Sequence, residues 1–66
     1  MSDKPEVVGW YGIFYSWDVQ EGIHTGADYW CGDSWLNELP VMLFNGPHPS
    51  KEDAIAWAEQ NDPDFQ

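Results

Sequence analysis

Residues 7–17 form an almost unbroken apolar and aromatic stretch, VVGWYGIFYSW. This stretch restricts the folds that the chain can adopt. Valine, isoleucine and aromatic residues favour a pleated strand, in which alternate side chains point to opposite faces. One face would carry Val7, Tyr11, Ile13, Tyr15 and Trp17, and the other Val8, Trp10 and Phe14. Because both faces are apolar, we expect a central strand that is covered on at least one side.

Two further strands are predicted downstream. The aromatic run at 27–31 indicates a second strand, and residues 23–25 are able to extend it as a hairpin arm. The short apolar run at 41–45 follows Pro40 and indicates a third strand. Pro47 and Pro49 lack backbone donors, so we expect regular structure to stop there.

The clearest local signal is the start of a helix at Ser50. Ser50-Lys51-Glu52-Asp53 is close to a capping box, with aspartate in place of the usual glutamate or glutamine. Ala54, Ile55, Trp57 and Ala58 share one side of the helical wheel, and Pro63 sets the end of the helix. About eleven residues are too few for an isolated helix to persist, so the Trp57 side should dock on a sheet.

The predicted fold is a small α+β domain that spans residues 1–66. Its elements are a three-stranded, mainly antiparallel sheet over 7–17, 27–31 and 41–45, and one C-terminal helix over 50–61 packed on one sheet face. The antiparallel arrangement follows from the short connections between the strands. Residues 35–38 fit either a helical turn or a continuation of the second strand. Residues 1–6 and 63–66 are expected to be loose tails.

Acidity is the second dominant property of the chain. Twelve Asp and Glu residues face two bases, Lys4 and Lys51, which gives a formal net charge of −10. Such a charge repels nucleic acids and anionic membranes and attracts basic protein surfaces. It also exceeds the magnitude of about 2–8 that suffices for the solubility of a small domain. We therefore expect neither direct nucleic-acid binding nor membrane binding.

Catalytic and metal-binding patterns are weak. Cys31 is the single cysteine, and it would need His24 or His48 as a base, together with a nearby cation to lower its pKa. Zinc sites usually show closely paired ligands, and no such spacing occurs here. We expect a protein that is not an enzyme, with no catalytic residues, metal or cofactor. The opening residues show no basic, apolar leader, so a cytoplasmic location is expected.

The surface is the remaining candidate for function. One helix covers one face of a small sheet, and the other face would then expose aromatic rings, as contact sites do. Acids at the ends of the strands would rim this face and attract a basic partner. The predicted contact residues are Tyr11, Tyr15, Tyr29 and Trp30, with Asp18, Glu21, Asp28 and Asp33 around them.

Two hypotheses follow. In the first, the chain is a small acidic inhibitor or modulator that docks on a basic surface of a host nucleic-acid-handling enzyme, with carboxylates in place of phosphates. Its size and charge are similar to those of proteins that phages and mobile elements use against nucleases, CRISPR effectors or polymerases, including anti-CRISPR and anti-restriction proteins. In the second, it is a non-enzymatic structural or assembly module whose aromatic sheet face forms a homodimer.

Overall fold

A three-stranded antiparallel sheet with one helix on it forms the body of the protein. The computed structural model describes residues 4–18 and 20–62. In chain order its elements are β1 (Gly9–Tyr15), β2 (His24–Trp30), β3 (Val41–His48) and α1 (Lys51–Gln60). Both neighbours pair antiparallel with β1, in the order β2-β1-β3. The predicted α+β class, with one C-terminal helix against the sheet, is confirmed.

The central strand β1 has the two-faced pattern that its sequence predicts. Tyr11 and Ile13 are buried in a cluster with Trp30 on one face of the sheet. Phe14 points to the other face, where its ring stacks on Trp57. The strand is shorter than the 7–17 predicted, because flanking residues lie beyond its ends and are exposed. Their exposed fractions are 55% for Val7, 49% for Val8 and 63% for Trp17.

The outer strands extend beyond the two apolar runs. β2 begins at His24, within the hairpin arm that residues 23–25 were expected to add to 27–31, and β3 continues to His48 rather than ending at 45. The predicted stop at the prolines is therefore wrong. β3 lies at the edge of the sheet, where a proline without an N–H is tolerated. Gly46 allows β3 to approach β1 closely at this point, since a Cβ on residue 46 would lie only 3.0 Å from the carbonyl oxygen of Trp10.

The helix begins and ends close to where its capping signals predict. Ser50 is the N-cap, and its Oγ accepts a hydrogen bond from the backbone N–H of Asp53 at 3.2 Å. Ala54 and Ala58 are fully buried against the sheet. The ring of Trp57 stacks on the ring of Phe14, with centroids 5.6 Å apart and ring planes inclined by 25°. Small residues thus bring the helix close, and the indole fills the remaining gap.

Residues 31–40, which we call the covering segment, pack over the sheet face opposite the helix. Trp35 and Leu39 contact the buried cluster of Tyr11, Ile13 and Trp30. The expectation that this face stays exposed is therefore wrong, because an irregular segment buries it. Trp35 makes an isolated bridge to Trp30, and a turn follows in which Glu38 N donates to Trp35 O at 3.1 Å. The stretch 35–38 is thus neither a helical turn nor a continuous strand.

The described part of the predicted N-terminal tail is in contact with the body. Pro5 is buried, whereas Lys4 and Glu6 are exposed on either side of it. The loose tail over residues 1–6 stays a prediction, to which the structure adds that Pro5 is buried. Residues 1–3 and 63–66, also predicted to be tails, lie outside the described residues.

Candidate partner-binding surface

The residues between β1 and β2, 16–23, hold two exposed acids in a hydrogen-bonded turn. Asp18 Oδ1 accepts from the backbone N–H of Gln20 at 2.9 Å, and the Asp18 carbonyl accepts from Glu21 N at 2.9 Å. Ser16 Oγ lies 3.0 Å from the carbonyl oxygens of both Asp18 and Gly22. Aspartate often organises turns through such local bonds. Among the described residues of this connection, hydrogen bonds thus fix the backbone that carries the exposed acids Asp18 and Glu21.

An exposed aromatic group adjoins these acids. Trp17 is 63% exposed, and its ring meets Tyr15 edge-on with centroids 6.4 Å apart. The ring of Tyr15 also contacts that of His24, the first residue of β2, with ring centroids 5.3 Å apart. Ile23 adds an apolar side chain that is 38% exposed. The 16–23 connection thus combines a supported tryptophan with flanking carboxylates.

Three of the predicted contact residues are buried. Tyr11 and Trp30 are each only 3% exposed, and Asp28 is 0% exposed. The covering segment causes this burial, since Trp35 packs edge-on against both Tyr11 and Trp30. In this fold these three side chains do not form an exposed aromatic face, so the surface beside Asp18 and Glu21 does not include them.

Asp28 has a structural role that the sequence interpretation missed. Its carboxylate accepts hydrogen bonds from Tyr29 N at 2.8 Å, Asn37 N at 3.1 Å and Asn37 Nδ2 at 2.9 Å. A buried carboxylate needs such donors to offset its desolvation. The bonds to Asn37 hold the covering segment against the edge of β2.

The other predicted contact residues remain accessible but do not form one patch. Asp18, Glu21 and Asp33 are exposed, and Tyr15 and Tyr29 are half-buried. Asp18 and Glu21 precede β2, whereas Asp33 follows it. A seven-residue strand separates the two groups by about 20 Å. The structure therefore brings Tyr15, Asp18 and Glu21 together and leaves Asp33 at the opposite end of the sheet.

Trp17 is the main contact candidate that the sequence interpretation missed. The strict alternation of residues 7–17 placed it on one strand face with Tyr11 and Tyr15, but it was not among the predicted contact residues. β1 ends at Tyr15, so the alternation does not continue to Trp17. The available signal was the neighbouring Asp18, because aspartate favours turns and is depleted in strands.

The arrangement of Cys31 and the histidines does not assemble a nucleophilic pair. Cys31 is exposed directly after β2, and His24 begins the same strand, roughly 23 Å away along it. His48 lies near Trp57, with ring centroids 6.3 Å apart, and its Nε2 is buried without a hydrogen-bond partner among the described residues. Within residues 4–18 and 20–62, no three His, Cys, Asp or Glu side chains are grouped to hold a metal ion.

In the part of the chain that the structure describes, no helix has the length and apolar character needed to cross a membrane. Comparison with protein-family models, with curated proteins and with solved structures found no match to this chain.

Proposed function

We propose that this protein is an inhibitor or modulator that docks on a basic surface of a nucleic-acid-handling enzyme, where its carboxylates replace phosphates. The observation that carries the proposal is the exposed Trp17 next to Asp18 and Glu21, two exposed acids whose backbones are joined by a hydrogen bond. An apolar anchor surrounded by charges of one sign is an arrangement suited to a partner of the opposite sign.

The charge of the whole molecule supports a basic partner. Two bases cannot neutralise twelve acids, so the surface keeps a large negative excess wherever Lys4 and Lys51 lie. The exposed acids of the described residues are Glu6, Asp18, Glu21, Asp33, Glu38, Glu52, Asp53 and Glu59. They are distributed over both ends of the sheet and the helix. Such a field raises the rate of encounter with a positively charged surface.

Trp17 is proposed to set the lifetime of the complex. Tryptophan is enriched among the few interface residues that carry most of the binding free energy. Tyr15 supports the indole from one side, so less side-chain freedom is lost on binding. The acids would then govern mainly the association rate, and Trp17 the dissociation rate.

The test begins with affinity purification from the native host and ends with a competition experiment. The purified complex is titrated at fixed salt with the nucleic acid that the partner binds. We expect the acidic protein to be displaced as the nucleic acid binds. Simultaneous binding of both without loss of affinity would exclude phosphate replacement.

Two charge variants locate the contact. The double substitution Asp18→Lys and Glu21→Lys should slow association strongly. Glu52→Lys with Glu59→Lys changes the net charge equally, but on the exposed side of α1. A larger loss for the first pair supports the 16–23 connection as the site. Equal losses would mean that only the overall charge matters.

A second candidate function is self-assembly, which β3 favours rather than the aromatic sheet face. β3 is an eight-residue edge strand without a charged residue, VMLFNGPH, and its Met42 and Leu43 are 59% and 50% exposed. Uncharged apolar edge strands tend to pair with further strands. Because two copies repel each other, dimerisation would strengthen with salt, whereas binding to a basic partner would weaken. Light scattering at low and high salt separates the two functions.

A further inference from the structure

A depression of about 430 Å³ lies between the covering segment and the start of β3. Its wall at Pro40 adjoins the 16–23 connection, since the Pro40 carbonyl accepts a hydrogen bond from Ser16 N at 3.4 Å. Its residues are Lys4, Trp30, Asp33, Ser34, Trp35, Glu38, Leu39, Pro40 and Val41. Two indoles and three aliphatic residues make most of it apolar, and two carboxylates stand at its rim. Sites for small groups usually combine an apolar wall with a few polar groups in this way.

The depression is built by contacts of the covering segment with the core. Trp30 is 3% exposed at the bottom, and its ring centroid lies 5.0 Å from that of Trp35. Trp35 is half-buried and leaves part of its surface accessible. A tight turn in which Val41 N donates to Leu39 O at 2.8 Å places the aliphatic wall beside the indoles.

The charges of the depression favour a cation. Asp33 and Glu38 contribute two negative charges and Lys4 one positive charge, so the lining has a net formal charge of −1. Glu38 belongs to the same turn as Trp35, since its N–H donates to the Trp35 carbonyl at 3.1 Å. Glu38 and Trp35 therefore line the depression from one turn of the backbone.

We propose that this depression binds an arginine side chain of the basic partner, in a second contact distinct from Trp17. The inference rests on the proposed function, because the arginine belongs to that partner. A guanidinium stacks flat on an indole and pairs with a carboxylate through two parallel hydrogen bonds. It is also more weakly hydrated than an ammonium, so it enters a largely apolar site at lower cost.

Short peptides test the site without the partner. The probe is N-acetyl-Gly-Arg-Gly-amide, and the neutral control replaces arginine with citrulline, which has nearly the same shape. The measurement is the shift of the indole N–H signals of Trp30 and Trp35 in ¹⁵N-correlated NMR spectra. We expect the arginine peptide to shift both signals saturably in the millimolar range and the citrulline peptide to have little effect. Equal shifts with both peptides, or no shift with either, would overturn the proposal.

Charge variants give effects of opposite sign. Asp33→Asn with Glu38→Gln should weaken binding of the arginine peptide about tenfold, whereas Lys4→Gln should strengthen it about threefold. The matched control is Glu52→Gln with Glu59→Gln, which removes two charges on the helix side of the sheet and should change binding little. If the control weakens binding as much as the first pair, the depression is not the site. If the first pair fails to fold, the Lys4→Gln effect decides the question.

The outcomes also separate this inference from the proposed function. Suppose that the arginine peptide binds as expected but nucleic acid does not displace the protein from its partner. This result would support the arginine site and exclude phosphate replacement. If the partner binds through Asp18 and Glu21 while the peptide leaves the indole N–H signals of Trp30 and Trp35 unchanged, the proposed function is supported and the arginine site is excluded.

Discussion

Gly12 and Trp57 are packed so closely that a Cβ on the glycine would lie 2.6 Å from Cε3 of the indole. The same added atom would lie 2.6 Å from the carbonyl oxygen of Ala54 in the helix backbone. The middle of β1 therefore has a place for the helix only because residue 12 has no side chain. The docking of α1 depends on the absence of a side chain at Gly12 as much as on the apolar side of the helix.

Gly12→Ala should consequently destabilise the protein by about 2–3 kcal/mol, within the usual range for overpacking a core. The matched control is Gly26→Ala on β2, where the nearest atom to an added Cβ is Tyr15 Cε1 at 3.8 Å. That distance is ordinary contact, so the control should be neutral or slightly stabilising. Urea denaturation of both variants checks the difference. Equal stability would show that the helix moves away at no cost.

Trp57→Ala should cost about 3 kcal/mol, since it removes the ring stacked on Phe14 and leaves a gap between helix and sheet. A domain of this size seldom has more than about 3–5 kcal/mol in total, so the variant should be close to unfolding. Trp17→Ala removes an equally large ring that is 63% exposed and should leave the melting temperature almost unchanged. Circular dichroism on heating distinguishes them. A stable Trp57→Ala protein would contradict the docking of α1.

Asn37→Ala should destabilise the protein by about 1.5–3 kcal/mol, the range for hydrogen bonds to a charged group. The substitution removes the Nδ2 donor 2.9 Å from buried Asp28 and leaves the carboxylate with fewer partners. A double-mutant cycle with Asp28→Ala measures the interaction, and a coupling free energy above about 0.5 kcal/mol is expected. Additive effects would mean that Asp28 does not hold the covering segment through Asn37.

Glu38→Gly should stabilise the protein by about 0.5–1 kcal/mol, because Glu38 has a φ of 52°, in the left-handed region that disfavours residues with a Cβ. Glu38→Ala removes the same carboxylate but keeps the Cβ, so it should show no such gain. Urea denaturation of the pair separates backbone strain from charge. Under the arginine proposal, both variants should also bind the arginine peptide more weakly. Glu38 would then lower the stability of the fold while it raises the affinity for arginine.

Association with the partner should slow as the ionic strength rises beyond about 0.15 M, where the Debye length falls below about 8 Å. The dissociation rate should change much less, because the Trp17 contact is mainly apolar. Stopped-flow or surface-binding kinetics over a salt series measure both rates. An association rate that is independent of salt would remove electrostatic steering from the proposed function.

Local sequence signals predicted the parts of the fold that local chemistry determines. The Ser50 cap acts within one turn, and the alternation of Tyr11, Ile13 and Phe14 acts within one strand. The extension of β3 through Pro47 was not predictable in this way. A proline blocks a strand only when its missing N–H faces a neighbour, and the edge position of β3 is a property of the whole sheet.

The candidate site was predicted only in part for a similar reason. Asp18 and Glu21 follow an aromatic strand directly, and their exposure is what a turn between strands requires. The burial of Tyr11, Trp30 and Asp28 depends on a segment that has no periodic pattern. Its position follows from the bonds between Asp28 and Asn37, residues nine apart that meet only in the folded chain.

The covering segment also limits how this protein can diverge in sequence. Trp30, Trp35, Leu39 and Val41 line the depression and at the same time belong to the core cluster or pack against it. A substitution that reshapes the depression therefore also alters the core of a domain with little stability to lose. The exposed polar residues of the lining, Lys4, Asp33, Ser34 and Glu38, are less constrained by packing. We expect adaptation to a new partner to proceed through charge at the rim while the aromatic floor stays fixed.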